Sequence, residues 1–478
     1  MPEGTELRIE EVGSRRSFWL REALANETAS DAPSLREPVD ADVTIVGGGY
    51  TGLWTAYQLI ERAPGARIVL LEQDICGGGP SGRNGGFLHG WWDQLPVLID
   101  LFGADGALRL AYEADASVDA IRTWCEAHVV DAWFRKGGYL RVSAAPGQDD
   151  DWLPAVEACQ GLGVADALVP LSADEVRARC SSPRFRAGVL MPNAATIQPA
   201  TLVRGLRRVV MERGVRVFEH TPVTRLHPGP TPRVQTPDGS VSSAQVVLAL
   251  NAWAAGWPVL RRRVLAWGSY IALTEPVPEI LSEIGWTGDE AITDSRFTVH
   301  YFRTTPDGRV AFGAGIGRAG FGGRIGSQFT QDRRAVDRTV AGMRHLLPAL
   351  TEARIDDAWG GPIDVTPTRL PLIGSMHGGR VHYAHGYSGN GVGPSYLAGR
   401  ILASLLDGAR DDLALLPIVG ASCVPFPPEP FRYIGARVIR QAMVRHDEAN
   451  QRGARPSRAD RVLAGLPRRL GYRLGPKE

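Results

Sequence analysis

Lysine is almost absent from this chain of 478 residues. Lys136 and Lys477 are the only two, against 51 arginines, so a mechanism that needs an amine side chain has hardly any candidate. Cysteine is scarce as well. The five cysteines are scattered and form no CxxC pair, a pattern typical neither of a zinc site nor of a disulfide framework. We therefore expect no metal site, and a reducing compartment, the cytoplasm.

Long apolar runs are missing too. No stretch reaches about 18 consecutive apolar residues, so we expect no membrane span. The first 16 residues include acidic side chains and lack the apolar core of a secretory signal. The net charge of +1 argues against a nucleic-acid partner. Apolar residues make up 44% and charged residues 22%, which excludes a disordered chain.

Glycine is abundant, with 56 residues, and its first cluster follows a buried strand. Residues 41–46 (ADVTIV) predict that strand, residues 47–52 (GGGYTG) fit the pattern GxGxxG, and a helix follows to about residue 63. The first glycine permits a tight turn, the second lets backbone approach a pyrophosphate, and the third lets the helix pack on the strand. The helix N-terminus then offers unpaired N–H groups to phosphates.

A second strand at 67–72 completes a βαβ unit and ends in Glu72. A carboxylate about 20 residues after the last glycine can accept hydrogen bonds from ribose hydroxyls. The unit therefore predicts a dinucleotide site rather than a glycine turn without a ligand. The candidate binding residues are Gly47, Gly49, Tyr50, Thr51, Gly52, Glu72 and Gln73.

A second glycine cluster, residues 81–86 (SGRNGG), comes shortly after this unit. In a chain that also carries the first cluster, it resembles the flavin-contacting segment of the D-amino-acid oxidase/glycine oxidase (DAO) family of FAD enzymes. The resemblance implies a backbone that follows the ribityl chain and the isoalloxazine ring, with Arg83 and Asn84 as donors to phosphate or ring. It favours FAD over NAD. The candidates here are Ser81, Gly82, Arg83, Asn84, Gly85 and Gly86.

Further segments match the family in its order, from about residue 15 to 428. Residues 222–224 (PVT) resemble the start of the strand that presents backbone groups to adenine, and residues 246–253 (VVLALNAW) the strand that closes on the cofactor. Residues 385–392 (HGYSGNGV) form a glycine turn that opens a helix, which can aim N–H groups at the flavin O2 edge. The implied cofactor contacts are Val223, Asn251, Gly386, Ser388, Gly389, Asn390, Gly391 and Val392.

Residues 359–371 (WGGPIDVTPTRLP) resemble the segment that returns the chain from the substrate domain to the FAD domain. Together with the SGRNGG and HGYSGNGV segments, this stretch is most similar to the branch that includes gamma-glutamylputrescine oxidase. That branch usually has a histidine where this chain has Asn390. The departure puts any role of that histidine in question here.

The resemblance implies an α/β fold with a Rossmann-like FAD-binding domain built from discontinuous segments. A mixed, mainly antiparallel β-sheet substrate domain is inserted between them. The expected domains are an N-terminal arm (1–38), the FAD domain (39–96, 196–258 and 359–410), the substrate domain with connecting helices (97–195 and 259–358) and a C-terminal Arg-rich helical appendage (411–478). Hydrophobic periodicity predicts helices at 97–130, 151–161, 200–213, 331–347 and 392–406 and strands at 137–144, 215–219, 222–226, 232–236, 244–250, 353–363 and 381–385, with three more between 264 and 314.

The activity that the family implies is oxidation of a C–N bond in a small amine or amino acid. A hydride passes from the carbon beside nitrogen to flavin N5, and the resulting imine hydrolyses. Oxygen is the favoured acceptor. Three alternatives remain open: a dehydrogenase that passes electrons to a quinone or protein, a tRNA-modifying or electron-transfer flavoprotein, and a protein that holds FAD without turnover.

Three side chains are candidates for the substrate end. Tyr301 and Arg303 alternate to the same face of a predicted strand, with His300 on the other. Arg303 could clamp a substrate carboxylate or form a structural salt bridge, and Tyr301 could be a site residue or core. His89 follows the second glycine cluster. It could be an acid/base or flavin-linked residue, or it could only pack against its neighbours.

Two further expectations concern the cofactor link and the tail. No cysteine lies between Cys180 and Cys423, the region that would hold a cysteine link to flavin from the substrate domain, so we expect noncovalent FAD. The tail from Glu429 onward carries a net charge of +7, against −6 for the rest. It is interpreted as a solvated helix packed on an acidic surface, with contact to a membrane surface or a partner as the alternative.

Overall fold

The computed structural model describes residues 16–27 and 31–474. Within these ranges, no helix combines the length and the apolar character that a membrane crossing needs. The helices are α1 (Phe18–Ala25), α2 (Tyr50–Arg62), α3 (Leu95–Ala127), α4 (Leu153–Gly161), α5 (Ala173–Arg177), α6 (Pro199–Glu212), α7 (Pro278–Glu283), α8 (Arg333–Leu346), α9 (Val392–Leu406), α10 (Phe431–Gln451) and α11 (Arg458–Arg469).

One sheet is built on the predicted βαβ unit. Its strands are β1 (Pro38–Val46), β2 (Ile68–Leu71), β8 (Arg216–Phe218), β9 (Arg225–His227), β10 (Arg233–Gln235), β11 (Ser240–Leu248), β17 (Leu372–Met376) and β18 (Val381–His385). The central order is β17-β18-β11-β1-β2-β8, with β10 paired to β11 and β9 paired to β10. The neighbours from β18 to β8 are parallel, and helices cover them, so β2 is buried along its whole length. Sequence-distant segments thus form one dinucleotide-type sheet, as predicted.

The second sheet carries the inserted segments. Its strands are β4 (Tyr139–Val142), β5 (Val169–Leu171), β6 (Gly188–Met191), β12 (Leu265–Thr274), β13 (Ala291–Asp294), β14 (His300–Thr304), β15 (Val310–Ala314) and β16 (Ile355–Val365). The order is β16-β12-β15-β14-β13-β4-β6-β5. Only β13 and β4 run parallel among these pairs, so the prediction of a mixed, mainly antiparallel sheet is confirmed. A short pair, β3 (Phe87–Leu88) and β7 (Ala195–Thr196), lies apart.

Some elements differ from the sequence-based expectation. Strand β9 begins at Arg225 rather than at Pro222. The short strands β5 and β6 were not predicted. Strand β5 has three residues, one of them Pro170, and lies at the sheet edge, where a missing N–H is tolerated. Helix α3 fills the predicted 97–130 segment but contains a non-helical Gly103.

The two chain ends pack on the body in different ways. Of the predicted arm, residues 1–15 and 28–30 lie outside the described residues. Helix α1 docks through Trp19 and Leu20, both fully buried, and the Trp19 ring meets Trp359 edge-on at 5.5 Å. At the other end, α10 and α11 form a helix pair that Arg445 and Asp460 join by an ion pair of 2.6 Å. The described part of the tail therefore contains two paired helices, and Arg440 of α10 donates to the Ile316 carbonyl of the body at 3.1 Å.

Candidate active site

A cavity of about 470 Å³ lies between the two sheets. One end is lined by the loops at the carboxyl ends of β1 and β2, and the other by β12–β14 of the second sheet. In open α/β sheets, ligands bind outside the carboxyl ends of the parallel strands. Of the predicted site residues, the cavity is lined by Gly47, Gly49, Tyr50, Thr51, Glu72, Gln73, Ser81, Arg83, Asn84, Gly85, His89, Val223, Asn251, Tyr301, Ser388, Gly389, Asn390, Gly391 and Val392.

The remaining predicted residues do not line the cavity: Gly52, Gly82, Gly86, Gly386 and Arg303. The four glycines allow close packing instead. A Cβ on Gly52 would overlap the Gly47 carbonyl oxygen, and one on Gly86 would overlap that of Ile197. These glycines shape the loops that line the cavity without facing it.

The first glycine loop turns directly from β1 into α2. Gly47 has φ 116°, a backbone conformation that favours glycine. Gly49 is the N-cap of α2 and offers no side chain to the free N–H groups of the first turn. The hydroxyl of Ser81 accepts from the Tyr50 N–H at 2.9 Å, which ties the second glycine cluster to this helix start. The arrangement presents backbone donors and a positive helix end to the cavity.

Glu72 lies across this loop at the end of β2. Its carboxylate accepts from the Gly48 N–H at 2.7 Å and from the Asp74 N–H at 3.0 Å. Burial raises the pKa of Glu72 to about 7, although these two N–H groups lower it. The side chain therefore changes its charge close to neutral pH.

The donors of the second glycine cluster bond to backbone in this structure. Arg83 Nε donates to the Gly78 carbonyl at 2.9 Å, and burial lowers the pKa of Arg83 to about 10. Asn84 Nδ2 donates to the Ser81 carbonyl at 3.0 Å, and its Oδ1 accepts from the Gly86 N–H at 2.8 Å. Both side chains line the cavity, but their polar groups also hold the loop in shape.

The third glycine turn, residues 386–391, is held by a buried carboxylate that sequence reasoning did not select. Asp364 accepts from the Gly386 N–H and, at 3.2 Å, from the Tyr387 N–H. It is 1% exposed, and burial raises its pKa to about 7. Helix α9 then begins at Val392 without a side-chain cap, and its first residue lines the cavity.

Aromatic and histidine side chains form the wall at the far end. The Tyr301 hydroxyl lies 2.8 Å from the Ser269 hydroxyl, and burial raises the pKa of Tyr301 to about 12. His89 stacks on Tyr139, with ring centroids 4.5 Å apart. Since Tyr301 lines the cavity while His300 is bonded to Asp294, the predicted alternation along this strand is observed.

His89 also lies close to Asn390 of the third glycine turn. His89 Nδ1 lies 3.0 Å from the Gly90 carbonyl. The tautomer that carries its proton on Nδ1 satisfies this carbonyl and leaves Nε2 as the acceptor. Asn390 Nδ2 donates to the same carbonyl at 3.2 Å and lies 3.4 Å from His89 Nδ1. Burial lowers the pKa of His89, so its neutral form is favoured.

Arg303 lies elsewhere than the substrate-clamp hypothesis requires. Its side chain is fully buried and packs over the Trp19 ring, 5.0 Å from the centroid. Its three guanidinium nitrogens have no hydrogen-bond partner among the described residues, so it is not a structural salt bridge either. Burial lowers its pKa to about 9.

Three other arginines line the cavity, and sequence reasoning missed all of them: Arg141, Arg296 and Arg369. Arg141 pairs with Asp151, and Arg296 lies near Asp447. Arg369 has no ion-pair partner among the described residues, and its φ of 64° is uncommon for a non-glycine residue. Non-glycine residues held in this region often occur at functional sites, but the sequence alone carries no signal of it.

Comparison with known proteins identifies the chain's relatives. A family model described as FAD dependent oxidoreductase (DAO) matches residues 42–405. Gamma-glutamylputrescine oxidoreductase of Escherichia coli is 30% identical over 385 residues, which cover 78% of this chain and 85% of that protein. Glycine oxidase of Pseudomonas putida is 23% identical over 81% of this chain and 98% of that one. The crystal structure of glycine oxidase from Geobacillus kaustophilus superposes with a TM-score of 0.66 at 20% identity, covering 81% of this chain and all of that one.

Proposed function

The chain belongs to the DAO family of FAD-dependent oxidoreductases, and on that premise we propose that it oxidises a C–N bond of a small amine or amino acid, with oxygen as the electron acceptor. The observation that carries the proposal is the continuity of the cavity. It joins the dinucleotide-type loops to a pocket of aromatic and arginine side chains. When bound, FAD would take up the hydride from the carbon beside the substrate nitrogen, and the imine that leaves would hydrolyse in water.

FAD is the cofactor of this family, and the donor set of the cavity fits it. Backbone N–H groups at the start of α2, whose N-cap residue is Gly49, suit a pyrophosphate, and Glu72 suits ribose hydroxyls. We assign the adenine contact to the backbone at Val223 and the flavin contacts to residues 81–85 and 388–392, all of which line the cavity. Cys76 lies beneath Gly48 and outside the cavity lining, which supports noncovalent binding.

The substrate end would favour a neutral amine. Tyr139, Tyr301 and Phe297 wall this region, and poorly hydrated surroundings disfavour a charged ammonium group. His89 Nε2 has no hydrogen-bond partner among the described residues and would accept the proton that the amine gives up. We therefore propose His89 as the proton acceptor, in place of the histidine that the related branch carries at the Asn390 position.

An acidic group on the substrate would be recognised by arginine. Arg369 lines the cavity without an ion-pair partner among the described residues, and a guanidinium group binds a carboxylate through paired hydrogen bonds. Amino acids carry such a carboxylate, as does γ-glutamylputrescine, after which the Escherichia coli relative is named. An amine that bears a carboxylate is therefore the substrate class that we propose.

A second part of the proposal concerns the electron acceptor. Lys136 pairs with Asp119 and does not line the cavity, and Lys477 lies outside the described residues. Oxygen reduction would therefore depend on a cation other than lysine, such as Arg369 or the substrate itself. The alternative is a dehydrogenase that passes electrons to a quinone or a protein. The scarcity of cysteine supports a cytoplasmic location.

The test follows the visible absorption of the flavin under anaerobic conditions with a panel of amines. The panel holds γ-glutamylputrescine, putrescine, glycine, sarcosine and proline. We expect one class of acidic amine to bleach the flavin and admitted air to restore it with formation of peroxide. Slow recovery of the flavin absorption in air would indicate a dehydrogenase rather than an oxidase. A yellow protein that no amine bleaches would contradict the proposed activity.

A further inference from the structure

One wall of the cavity's substrate end is a short loop. Residues 295–299 (SRFTV) join β13 to β14, and Arg296, Phe297 and Val299 of this loop line the cavity. A loop of this kind sets the shape of a pocket only if its backbone is held in one conformation.

The base of the loop is fixed from within the second sheet. Asp294 Oδ1 accepts from the His300 N–H at 2.9 Å, and Asp294 Oδ2 lies 2.6 Å from His300 Nδ1. Both residues are buried. Asp294 Oδ1 also lies 3.4 Å from the Arg296 N–H, so this pair fixes the base and the first half of the loop, whereas the N–H groups of Phe297 and Thr298 bond elsewhere.

The tip is held by a residue about 150 positions further along the chain. Asp447 on α10 accepts from the N–H groups of Phe297 at 3.2 Å and Thr298 at 3.0 Å, and from the Thr298 hydroxyl at 2.6 Å. Its carboxylate also lies 3.6 Å from Arg296 Nε. Asp447 is 2% exposed, so this carboxylate depends on these donors for its solvation.

Neighbouring side chains of α10 reinforce the contact. Gln451 accepts from Arg296 Nη1 at 3.2 Å, and the His446 ring lies 5.1 Å from that of Phe297. Three positions of one helix therefore contact the loop, and two of them contact the guanidinium group of Arg296, a residue that lines the cavity.

Helix α10 lies beyond the part of the chain that the family model matches, which ends at residue 405. It is held in place independently of the loop. Arg440 Nε donates to the Ile316 carbonyl at 3.1 Å, and Arg445 Nε donates to Asp460 of α11 at 2.7 Å. The appendage is thus a fixed support for the loop.

We propose that Asp447 is a positioning residue for substrate selection: it makes the C-terminal helix pair the outer support of loop 295–299 and so sets the position of Arg296 and Phe297 in the cavity wall. The appendage then completes the substrate pocket rather than merely covering the surface. The effect on selection rests on the proposed amine oxidation. The effect on the loop does not.

The test compares Asp447→Asn with Asp460→Asn in the full-length holoenzyme. An amide at position 447 offers one acceptor oxygen in place of two, whereas Asp460 joins α11 to α10 without touching the loop. Thr298→Val, which removes only the hydroxyl that donates to Asp447, is a milder second variant. Hydrogen exchange of peptides covering residues 295–299 is measured first, because it needs no substrate.

We expect faster exchange of the loop in Asp447→Asn and, more weakly, in Thr298→Val, and wild-type exchange in Asp460→Asn. In anaerobic flavin reduction, the concentration of amine that gives half the limiting rate should rise about tenfold in Asp447→Asn. This is less than the roughly hundredfold loss of rate that a displacement of a reacting group by about 1 Å can cause. The limiting rate and FAD content should change little. The preference among amines in the panel should also change.

Unchanged loop exchange in a folded, FAD-loaded Asp447→Asn variant would overturn the proposal. So would equal exchange in Asp447→Asn and Asp460→Asn, because a general loosening of the helix pair would then account for it. If faster loop exchange is found while no amine bleaches the wild type, the support role stands and the proposed amine oxidation fails. If the variant binds and ranks amines as the wild type does, the role in selection fails.

Discussion

The imidazole of His89 stacks on the ring of Tyr139, with the two planes only 14° from parallel. The pair joins the loop after the second glycine cluster to strand β4 of the other sheet, so His89 is held where the two halves of the cavity meet. Burial disfavours added charge on the ring and lowers the pKa of His89. A neutral imidazole with its Nε2 available is a suitable proton acceptor near neutral pH.

Replacing His89 with asparagine should slow flavin reduction. Positioned proton transfer contributes a factor of about 100 to 10,000, so we expect the limiting rate to fall roughly a hundredfold with FAD content unchanged. The pKa of His89 is lowered from 6.5. The fall in the limiting rate at acid pH that protonation of His89 causes in the wild type should therefore lie below pH 6.5, and it should be absent from the variant. Stopped-flow pH profiles check this. His128→Asn is the control, because His128 does not line the cavity; equal rates for both variants and the wild type would exclude His89.

Substitution of Arg369 by glutamine should weaken recognition of acidic amines. The lost charge-assisted hydrogen bonds should raise KM about tenfold or more for an amine with a carboxylate, while the KM for the matching amide changes less. Steady-state kinetics with both substrates gives the comparison. Arg354→Gln is a matched control, because Arg354 is 68% exposed in a surface ion pair with Glu275. A KM that rises equally for acid and amide would contradict carboxylate recognition.

Glu72 should make FAD binding depend on pH. Its pKa in the unliganded protein is raised to about 7, and the ionised form is the better acceptor for ribose hydroxyls. Below that value FAD binding must first remove a proton, so affinity should rise as pH increases through about 7 and level off above it. Fluorescence titration of apoprotein with FAD at several pH values measures this. Glu72→Gln should bind more weakly and lose most of the dependence; a wild-type pH profile in the variant would assign it to another group.

Gly52→Ala tests the packing of α2 on β1. A Cβ at this position would overlap the Gly47 carbonyl oxygen, so the helix must move away from the loop. We expect a loss of about 1–3 kcal/mol or more in the free energy of unfolding, together with lower FAD content. Urea unfolding monitored by circular dichroism measures the first. Gly65→Ala is the control, since nothing lies within 4 Å of its Cβ; a loss of the same size there would show that the packing argument is wrong.

Much of the cofactor end followed from the sequence, because its chemistry is local. The GxGxxG loop, the strand that precedes it and Glu72 lie within about thirty consecutive residues, where turn geometry and strand length fix their relative positions. The family resemblance and the fold class are confirmed by the family model and by the solved glycine oxidase structure. The domain boundaries and the individual site roles stay predictions.

The substrate end was decided by the tertiary structure. Alternation along β14 put Tyr301 and Arg303 on one face of the strand. It does not indicate which other segment of the chain packs over that face at each residue. Helix α1 covers Arg303 through Trp19, 284 positions earlier in the chain, whereas Tyr301 faces the cavity. Arg369 therefore replaces Arg303 as the arginine that we propose to bind a substrate carboxylate.

From the amino-acid sequence, short-range patterns of glycine, apolar and acidic residues specified the dinucleotide-type βαβ unit, and the resemblance to the DAO family implied FAD and the two-sheet architecture. The three-dimensional arrangement was needed to show which arginines line the cavity and that Asp447 contacts the loop in its wall. Both depend on contacts between residues about 150 or more positions apart. The spacing of charged residues along the chain does not predict which of them will lie together in the folded protein.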